Sequence, residues 1–187
     1  MNPAAPSALI AEDEPLLAAA LQHELAKAWP ELRVVATVGD GASAVREALR
    51  LAPDVLLLDI RMPGMSGLDA AAELADAWDL AAKPFPALAF VTAYDQYAVQ
   101  AFEAQALDYV LKPVQPARLQ KSVQKLRRAL DQQAQAAINS EANKSNPLQA
   151  TAEQLRQLLA ALEPAAPTAA LPVLRQLPVS PAGAAGN

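Results

Sequence analysis

The chain has 187 residues, a formal net charge of −5 and a pI of about 4.9. An acidic chain repels phosphate backbones, so non-specific nucleic-acid binding by this chain alone is not expected. It has no cysteine and one histidine, His23, which excludes disulfides, thiolate catalysis, Cys-based zinc sites and multi-His metal sites.

Five short apolar segments alternate with helical patterns up to about residue 135. We predict strands at 8–11, 32–38, 55–58, 87–91 and 106–111, and helices that begin near Pro15, Ala42, Leu68, Asp95 and Pro116. The segment Val55–Leu58 shows no polar alternation, which is typical of a strand buried on both faces. The order of elements predicts a flavodoxin-like, doubly wound (βα)5 fold with a five-stranded parallel sheet.

Helical spacing indicates which side chains face the core. In the fourth helix, which Asp95 is expected to cap, Val99 and Phe102 are predicted to face inward. In the first and last helices the predicted inward side chains are Leu17, Leu21, Leu25, Ala28, Leu119, Val123, Leu126 and Leu130.

The alternation of apolar segments and helical patterns ends at about residue 135, and the composition of the chain changes there. We predict a polar linker at 139–147 and then a short helix, because Thr151–Gln154 is a capping-box pattern and the leucines at 155, 158, 159 and 162 share one face. From Pro164 the chain is rich in proline and alanine and is expected to be extended or disordered. The prediction is therefore a domain at 1–135 and an extension at 136–187.

Chemically active side chains lie at the ends of four predicted strands. Glu12 and Asp13 follow the first strand, Asp59 follows the third, Thr92 ends the fourth, and Lys112 follows the fifth. The carboxyl ends of parallel strands meet at one edge of the sheet, where ligands of such folds bind. Taken singly, each residue has an ordinary explanation as a cap, turn or surface residue. Their joint position is difficult to explain in that way and predicts a functional site.

The chemistry of these side chains favours a magnesium-dependent phosphoryl-transfer site. Three neighbouring carboxylates repel one another, and a divalent cation relieves the repulsion. Oxygen donors without histidine or cysteine favour Mg²⁺. A carboxylate beside the metal can attack phosphorus, while a lysine ammonium and a threonine hydroxyl contact the phosphoryl oxygens. A cis bond between Lys112 and Pro113 is possible and would aim the lysine.

Four segments carry a resemblance to a known family: Glu12–Pro15, Asp59–Gly67, Val91–Ala93 and Tyr109–Pro113. Through them, the chain resembles the receiver domains of two-component response regulators over about residues 7–130. The resemblance implies that Asp59 accepts a phosphoryl group from a sensor histidine kinase, with Mg²⁺ as cofactor. The protein would then be a phosphoacceptor with possible self-dephosphorylation, and not an enzyme.

The resemblance also implies how the metal is held. Asp13 and Asp59 would bind Mg²⁺ directly, together with the backbone carbonyl of Arg61, and Glu12 would hold a metal-bound water. Many receivers have aspartate at the position of Glu12, but the longer carboxylate still suits an outer role.

Further roles follow for the residues around the phosphoryl group. By resemblance, Lys112 would pair with the acyl phosphate. Thr92 and Tyr109 would form the switch pair, the hydroxyl moving toward the phosphoryl group and the ring turning inward. Arg61 and Tyr94 would flank the site, where they either tune water access or are simply exposed.

The resemblance implies a pairing surface formed by the fourth helix, fifth strand and fifth helix, through which an activated receiver becomes a homodimer. Its predicted charges are the acidic Asp95, Glu103 and Asp108 and the basic Lys112, Arg118, Lys121, Lys125, Arg127 and Arg128. For the basic row, an ordinary solvated helix face is the first interpretation, and a role in pairing or in contacting the output domain is the alternative.

A narrower resemblance concerns the output of the regulator. The segments Thr92–Phe102 and Ala106–Tyr109 look like those of regulators with a LytTR-type DNA-binding domain. We expect no such domain in this chain, so that 136–187 is a connector or an extension and DNA is reached only through a domain outside it. Since no signal segment opens the chain and no apolar run approaches the ~20 residues of a membrane span, we expect a cytoplasmic protein without membrane contact.

Three other functions fit the sequence less well. A Mg²⁺-dependent phosphohydrolase with an aspartyl nucleophile usually has a second acid two residues after the nucleophile, where this chain has Arg61. An interaction module that works without phosphorylation would not need Asp13, Asp59, Thr92 and Lys112 together. Nucleotide binding is not supported, because no glycine-rich loop follows the first strand.

Overall fold

The computed structural model describes residues 5–144, without the side chains of Phe102 and of residues 140–144. Its strands are β1 (Ser7–Ala11), β2 (Arg33–Val38), β3 (Val55–Leu58), β4 (Ala87–Thr92) and β5 (Asp108–Leu111). Its helices are α1 (Pro15–Ala28), α2 (Gly41–Leu51), α3 (Gly67–Ala77), α4 (Ala98–Glu103) and α5 (Pro116–Lys144). No helix in this part of the chain has the length and apolar character needed to cross a membrane.

The five strands form one parallel sheet in the order β2-β1-β3-β4-β5, which confirms the predicted fold. Every residue of β3 and of β4 is buried, as expected for central strands covered on both faces. One face packs against α1 and α5 through residues such as Leu25 and Leu126. The other face packs against α2, α3 and α4 through residues such as Leu74 and Phe90.

Local sequence explains where several helices begin. Pro15 opens α1, where its missing N–H has no intrahelical partner to lose. The side chain of Asp40 caps α2 by accepting a hydrogen bond from the backbone N–H of Ser43 at 2.7 Å. Ser66 caps α3 in the same way through the N–H of Asp69, at 3.1 Å.

The strand register places the predicted site residues at one edge of the sheet. Ala11 of β1 pairs with Leu58 of β3, so the residues that follow them lie side by side. Leu58 pairs in turn with Phe90 of β4, and Thr92 at the end of β4 pairs with Leu111 of β5. The carboxyl ends of four strands therefore meet, as the alternating sequence pattern predicted.

The region around α4 differs from the prediction. The helix begins at Ala98 rather than directly after Asp95, whose backbone carbonyl accepts from the N–H of Ala98 at 3.3 Å. Val99 was predicted to face inward but is 70% exposed, because α4 has six residues and turns Ala101 toward the core instead. The side chain of Phe102 lies outside the described residues.

The last helix is longer than predicted. Leu119, Val123 and Leu126 are buried and Leu130 is partly buried, as the spacing indicated. The helix continues to Lys144, six residues into the segment 139–147 that was predicted to be a linker. The predicted short helix and the proline- and alanine-rich tail lie outside the described residues.

Candidate functional site

Two buried carboxylates share one lysine at the carboxyl edge of the sheet. The ammonium nitrogen of Lys112 lies 2.5 Å from Oδ2 of Asp59 and 2.5 Å from Oε2 of Glu12. All three side chains are less than a tenth exposed. Burial raises the pKa of Glu12 above its usual 4.5, even though Lys112 opposes this effect. Burial by itself would lower the pKa of Lys112, but its hydrogen bonds to Asp59 and Glu12 outweigh burial and raise it.

Three carboxylates lie close enough together to share one cation. Oxygens of Glu12, Asp13 and Asp59 all lie within 4.8 Å of one another, and only Asp13 is exposed. The donor set contains oxygen only, which suits Mg²⁺ and disfavours metals that prefer histidine or cysteine. The side chains at this edge therefore fit the predicted cation.

Thr92 ends β4 at the same edge of the sheet, and its hydroxyl has no hydrogen-bond partner among the described residues. Its side chain is completely buried, and no described group bonds to its Oγ1. A buried polar atom without a partner costs about 1–3 kcal/mol in a folded protein, so the position of this hydroxyl calls for a functional or structural explanation. Beside it, the backbone N–H of Lys112 donates to the carbonyl of Thr92 at 2.8 Å, and the Lys112–Pro113 peptide bond is cis.

Tyr109 is half-buried on β5, and its hydroxyl donates to the backbone carbonyl of Tyr94. Burial raises the pKa of the Tyr109 phenol. Tyr94 comes two residues after Thr92, so the two members of the predicted switch pair are linked through a short segment of backbone.

Arg61 lies in the loop after Asp59 and contacts that side chain through its backbone. Its N–H donates to Oδ1 of Asp59 at 3.3 Å. Its guanidinium reaches away from the carboxylates, over the ring of Tyr94 at 5.2 Å and to the hydroxyl of Tyr97 at 3.3 Å. Sequence reasoning placed Arg61 beside the site but missed its contact with Tyr97.

Gly67 fixes the backbone position of Asp59, a role that sequence reasoning also missed. Its N–H donates to the carbonyl of Ile60 at 2.9 Å, which closes the loop between β3 and α3. A Cβ atom at this position would overlap the carbonyl oxygen of Asp59 and lie 2.9 Å from its carbonyl carbon. Only glycine allows this close approach of backbone to backbone.

Comparison with protein-family models now decides the family. The model of the response regulator receiver domain matches residues 8–124. The chain belongs to the response regulator receiver family. Members of this family act in two-component signalling as phosphoacceptors, with an aspartate that takes the phosphoryl group, and not as conventional enzymes.

Individual relatives agree with this assignment. The receiver is 44% identical over 124 residues to an uncharacterized response regulatory protein of Vibrio cholerae, a match that covers 66% of this chain and 46% of that protein. It is 38% identical over 125 residues to the transcriptional regulatory protein BtsR of Escherichia coli, with 67% of this chain and 49% of BtsR covered. The chain thus matches about half the length of these curated relatives.

Solved structures show the same fold. The receiver domain of AraT from Geobacillus stearothermophilus matches with a TM-score of 0.61 and 33% identity, covering 68% of this chain and 97% of that one. The response regulatory domain of mrkE from Klebsiella pneumoniae matches with a TM-score of 0.58 and 32% identity, covering 68% and 99%.

The structure corrects the predicted charges of the receiver's pairing surface. Asp108 was assigned to that surface, but it is buried, 4% exposed, and it is bonded within the chain. Arg118 donates to both of its carboxylate oxygens at 2.6 and 2.7 Å, and Ser122 and Lys125 donate at 2.5 and 2.9 Å. Lys112, assigned to the basic row, points into the site instead. The physical reason in both cases is a closer partner of opposite charge inside the fold.

Proposed function

We propose that Asp59 is the phosphoacceptor of this receiver and takes its phosphoryl group from a phosphohistidine of a sensor histidine kinase. The observation that carries the proposal is the shared ion pair, in which Lys112 bridges the buried Asp59 and Glu12 at 2.5 Å each. This ion pair places the desolvated carboxylate of Asp59 beside the ammonium of Lys112, which can neutralise the negative charge of the incoming phosphoryl group.

Phosphoryl transfer exchanges one bond to phosphorus for another. A carboxylate oxygen of Asp59 attacks phosphorus, the new O–P bond forms, and the P–N bond to the kinase histidine breaks, leaving a neutral imidazole after proton uptake. The ammonium of Lys112 then shifts from the carboxylate to an oxygen of the phosphoryl group. The backbone N–H of Arg61, 3.3 Å from Oδ1, holds the orientation of the carboxylate during attack.

In this proposal Asp13, Asp59 and the backbone carbonyl of Arg61 would hold Mg²⁺, and Glu12 would bind a water on the ion. Support comes from the oxygens of the three carboxylates, which lie within 4.8 Å of one another. When bound, the cation neutralises negative charge on the phosphoryl oxygens. Lys112, which pairs with both Glu12 and Asp59 here, could then contact an oxygen of the phosphoryl group instead.

The switch that we propose begins at Thr92. Its buried Oγ1 has no partner among the described residues, and a phosphoryl oxygen on Asp59 would supply one. Movement of Thr92 displaces the segment that carries Tyr94, and the bond between the Tyr109 hydroxyl and the Tyr94 carbonyl must then change. Phosphorylation thereby biases a two-state equilibrium of the receiver.

The output of this switch is a further proposal. We infer that phosphorylation promotes a homodimer and thereby controls a transcriptional output domain of LytTR type, with 136–187 as the connector. Support comes from the name of BtsR, a transcriptional regulatory protein, from the LytTR-like segment Thr92–Phe102, and from the match to half the length of the relatives. The proposed location is the cytoplasm, where such kinases present their phosphohistidine.

The experiment that tests the proposal is intact-mass measurement after incubation with acetyl phosphate. The wild-type chain should gain one phosphoryl group when Mg²⁺ is present and none when it is chelated. Asp59→Asn should gain none, while the control Asp76→Asn, an exposed acid on α3, should behave as wild type. An unmodified wild-type chain that nevertheless binds Mg²⁺ would instead favour an interaction module that works without phosphorylation.

A further inference from the structure

All three tyrosines of the chain lie in one cluster beside the proposed phosphoacceptor. The rings of Tyr94 and Tyr97, in the segment between β4 and α4, meet edge to face with centroids 6.2 Å apart. Tyr109 approaches from β5 and donates its hydroxyl to the carbonyl of Tyr94. Arg61, from the loop between β3 and α3, reaches the same cluster with its guanidinium.

The guanidinium of Arg61 binds only tyrosines among the described residues. Its Nη1 donates to the hydroxyl of Tyr97 at 3.3 Å, and its Cζ lies 5.2 Å from the ring centroid of Tyr94. Within residues 5–144 it forms no ion pair. Through one cation–π contact and one hydrogen bond to a tyrosine hydroxyl, the guanidinium joins two loops that are separate in sequence.

These contacts form a continuous path from the site to the switch residue. The carboxylate of Asp59 accepts a hydrogen bond from the backbone N–H of Arg61, and the guanidinium of Arg61 lies over the ring of Tyr94. The backbone carbonyl of Tyr94 in turn accepts a hydrogen bond from the hydroxyl of Tyr109. Tyr94 follows Thr92 by two residues. Any movement of Thr92 toward a phosphoryl group must therefore slide Tyr94 against Arg61.

We propose that Arg61, Tyr94 and Tyr97 form a clasp that holds the β4–α4 segment, and through it Tyr109, in its unphosphorylated position. The proposal rests on the function proposed above, since it assumes that Asp59 is phosphorylated. Arg61 is a positioning residue, which acts on Tyr109 through Tyr94 and opposes the switch. A cation over an exposed ring stabilises weakly, so opening the clasp should shift the switch equilibrium about two- to fivefold.

Because the chain has three tyrosines, fluorine NMR of labelled tyrosine can report the position of Tyr109 directly. The full chain is labelled with fluorotyrosine, and fluorine NMR then gives three resonances, which are assigned with single Tyr→Phe variants. The position of the Tyr109 resonance is measured in the wild-type chain before and after phosphorylation by acetyl phosphate. These two positions define the ends of the switch.

The clasp is then opened without phosphorylation. In Arg61→Ala the Tyr109 resonance should move toward its phosphorylated position, although no hydrogen bond or cation–π contact joins the Arg61 side chain to Tyr109 among the described residues. Tyr97→Phe removes only the accepting hydroxyl and should move the resonance in the same direction. The control is Arg127→Ala, which removes a similar stack, 5.3 Å above Trp29, remote from the site.

The possible results separate the two proposals. A Tyr109 resonance that stays in place in both clasp variants, while phosphorylation of the wild type still moves it, would overturn the clasp alone. Absence of any phosphoryl adduct in the wild type, seen by intact mass, would overturn the proposed function and the clasp's role with it. Near-ultraviolet circular dichroism checks that each variant is folded, and Tyr97→Phe remains as the test should Arg61→Ala not fold.

Discussion

The ammonium nitrogen of Lys112 lies 2.5 Å from Oδ2 of Asp59, in a pocket where both side chains are almost completely buried. The same nitrogen lies 2.5 Å from Oε2 of Glu12, so one lysine balances two carboxylates. A buried charge that loses its partner is strongly destabilising, and a buried cation competes with any metal that the carboxylates bind. Under the proposed function, we therefore expect this ion pair to influence three properties of the receiver: its stability, its affinity for magnesium and the reactivity of Asp59.

Lys112→Met should separate these properties. Without magnesium, the unfolding free energy should fall by about 3 kcal/mol, because Asp59 and Glu12 lose their common partner. Magnesium affinity, measured by titration calorimetry, should rise about tenfold, since one positive charge has left the site. The control Lys83→Met removes a lysine that pairs with Asp54 near the start of β3, and it should leave magnesium affinity unchanged. Equal or weaker magnesium binding in Lys112→Met would contradict this electrostatic account.

Thr92→Val should make the resting receiver more stable. The hydroxyl is buried and has no partner among the described residues, so its replacement by a methyl group of similar shape removes a desolvation cost. We expect the unfolding free energy in urea to rise by about 1 kcal/mol, and the phosphorylated variant to lose the response of Tyr109. Thr37→Val is the control, because its exposed hydroxyl accepts a bond from Gln22 and its loss should bring no gain. A loss of stability in Thr92→Val would show that the hydroxyl already has a partner in solution.

Gly67→Ala should displace Asp59. The added methyl group overlaps the carbonyl of Asp59, so the loop must shift and the unfolding free energy should fall by about 2 kcal/mol or more. The rate of phosphorylation by acetyl phosphate should fall with it. In the control Gly39→Ala, the nearest atom to the new Cβ is 3.7 Å away, so stability and rate should both be retained. Normal phosphorylation of Gly67→Ala would mean that the loop adapts without moving the carboxylate.

Asp108→Asn should reveal the acid-sensitive part of the fold. Burial by itself would raise the pKa of Asp108, but hydrogen bonds from Arg118, Ser122 and Lys125 hold it well below the usual 3.8. A lowered pKa stabilises the folded state at pH values above 3.8, and this contribution is lost as the pH falls below that value. We expect the variant to lose about 2 kcal/mol at pH 7 and progressively less below pH 3.8, as measured by urea unfolding.

The control for this prediction is Asp131→Asn, an exposed acid on α5. This variant should change the unfolding free energy little, both at pH 7 and below pH 3.8. If Asp108→Asn lowers the unfolding free energy by the same amount below pH 3.8 as at pH 7, then Asp108 stabilises the fold through its shape rather than its charge.

The positions of many site residues could be predicted from the sequence, because the residues that follow parallel strands lie together at one edge of the sheet. Asp59 and Thr92 end buried apolar runs that can only be central strands, so their side chains had to meet at the carboxyl edge. The fold was predictable for the same reason, since the apolar runs were long enough to define each strand. The sequence-based inferences succeeded where a repeated pattern supported them.

The inferences that failed concern short elements and long-range partners. The α4 helix has only six residues, too few for periodicity to determine its inner face, and Val99 was placed on the wrong side. Asp108 looked like a surface charge because its partners, Arg118 and Lys125, lie ten and seventeen residues further along the chain. Gly67 resembled any loop glycine, since its close approach to Asp59 is visible only in three dimensions.

Borohydride trapping would show whether Asp59 is the residue that carries the phosphoryl group. The receiver is phosphorylated with acetyl phosphate and Mg²⁺ and then treated with sodium borohydride, which reduces an aspartyl phosphate to homoserine. Peptide mass mapping should find homoserine at position 59 in the phosphorylated wild-type chain and nowhere in the mock-treated chain. Homoserine at another acid, such as Asp13, or a stable phosphoryl group on a hydroxyl side chain, would contradict the account.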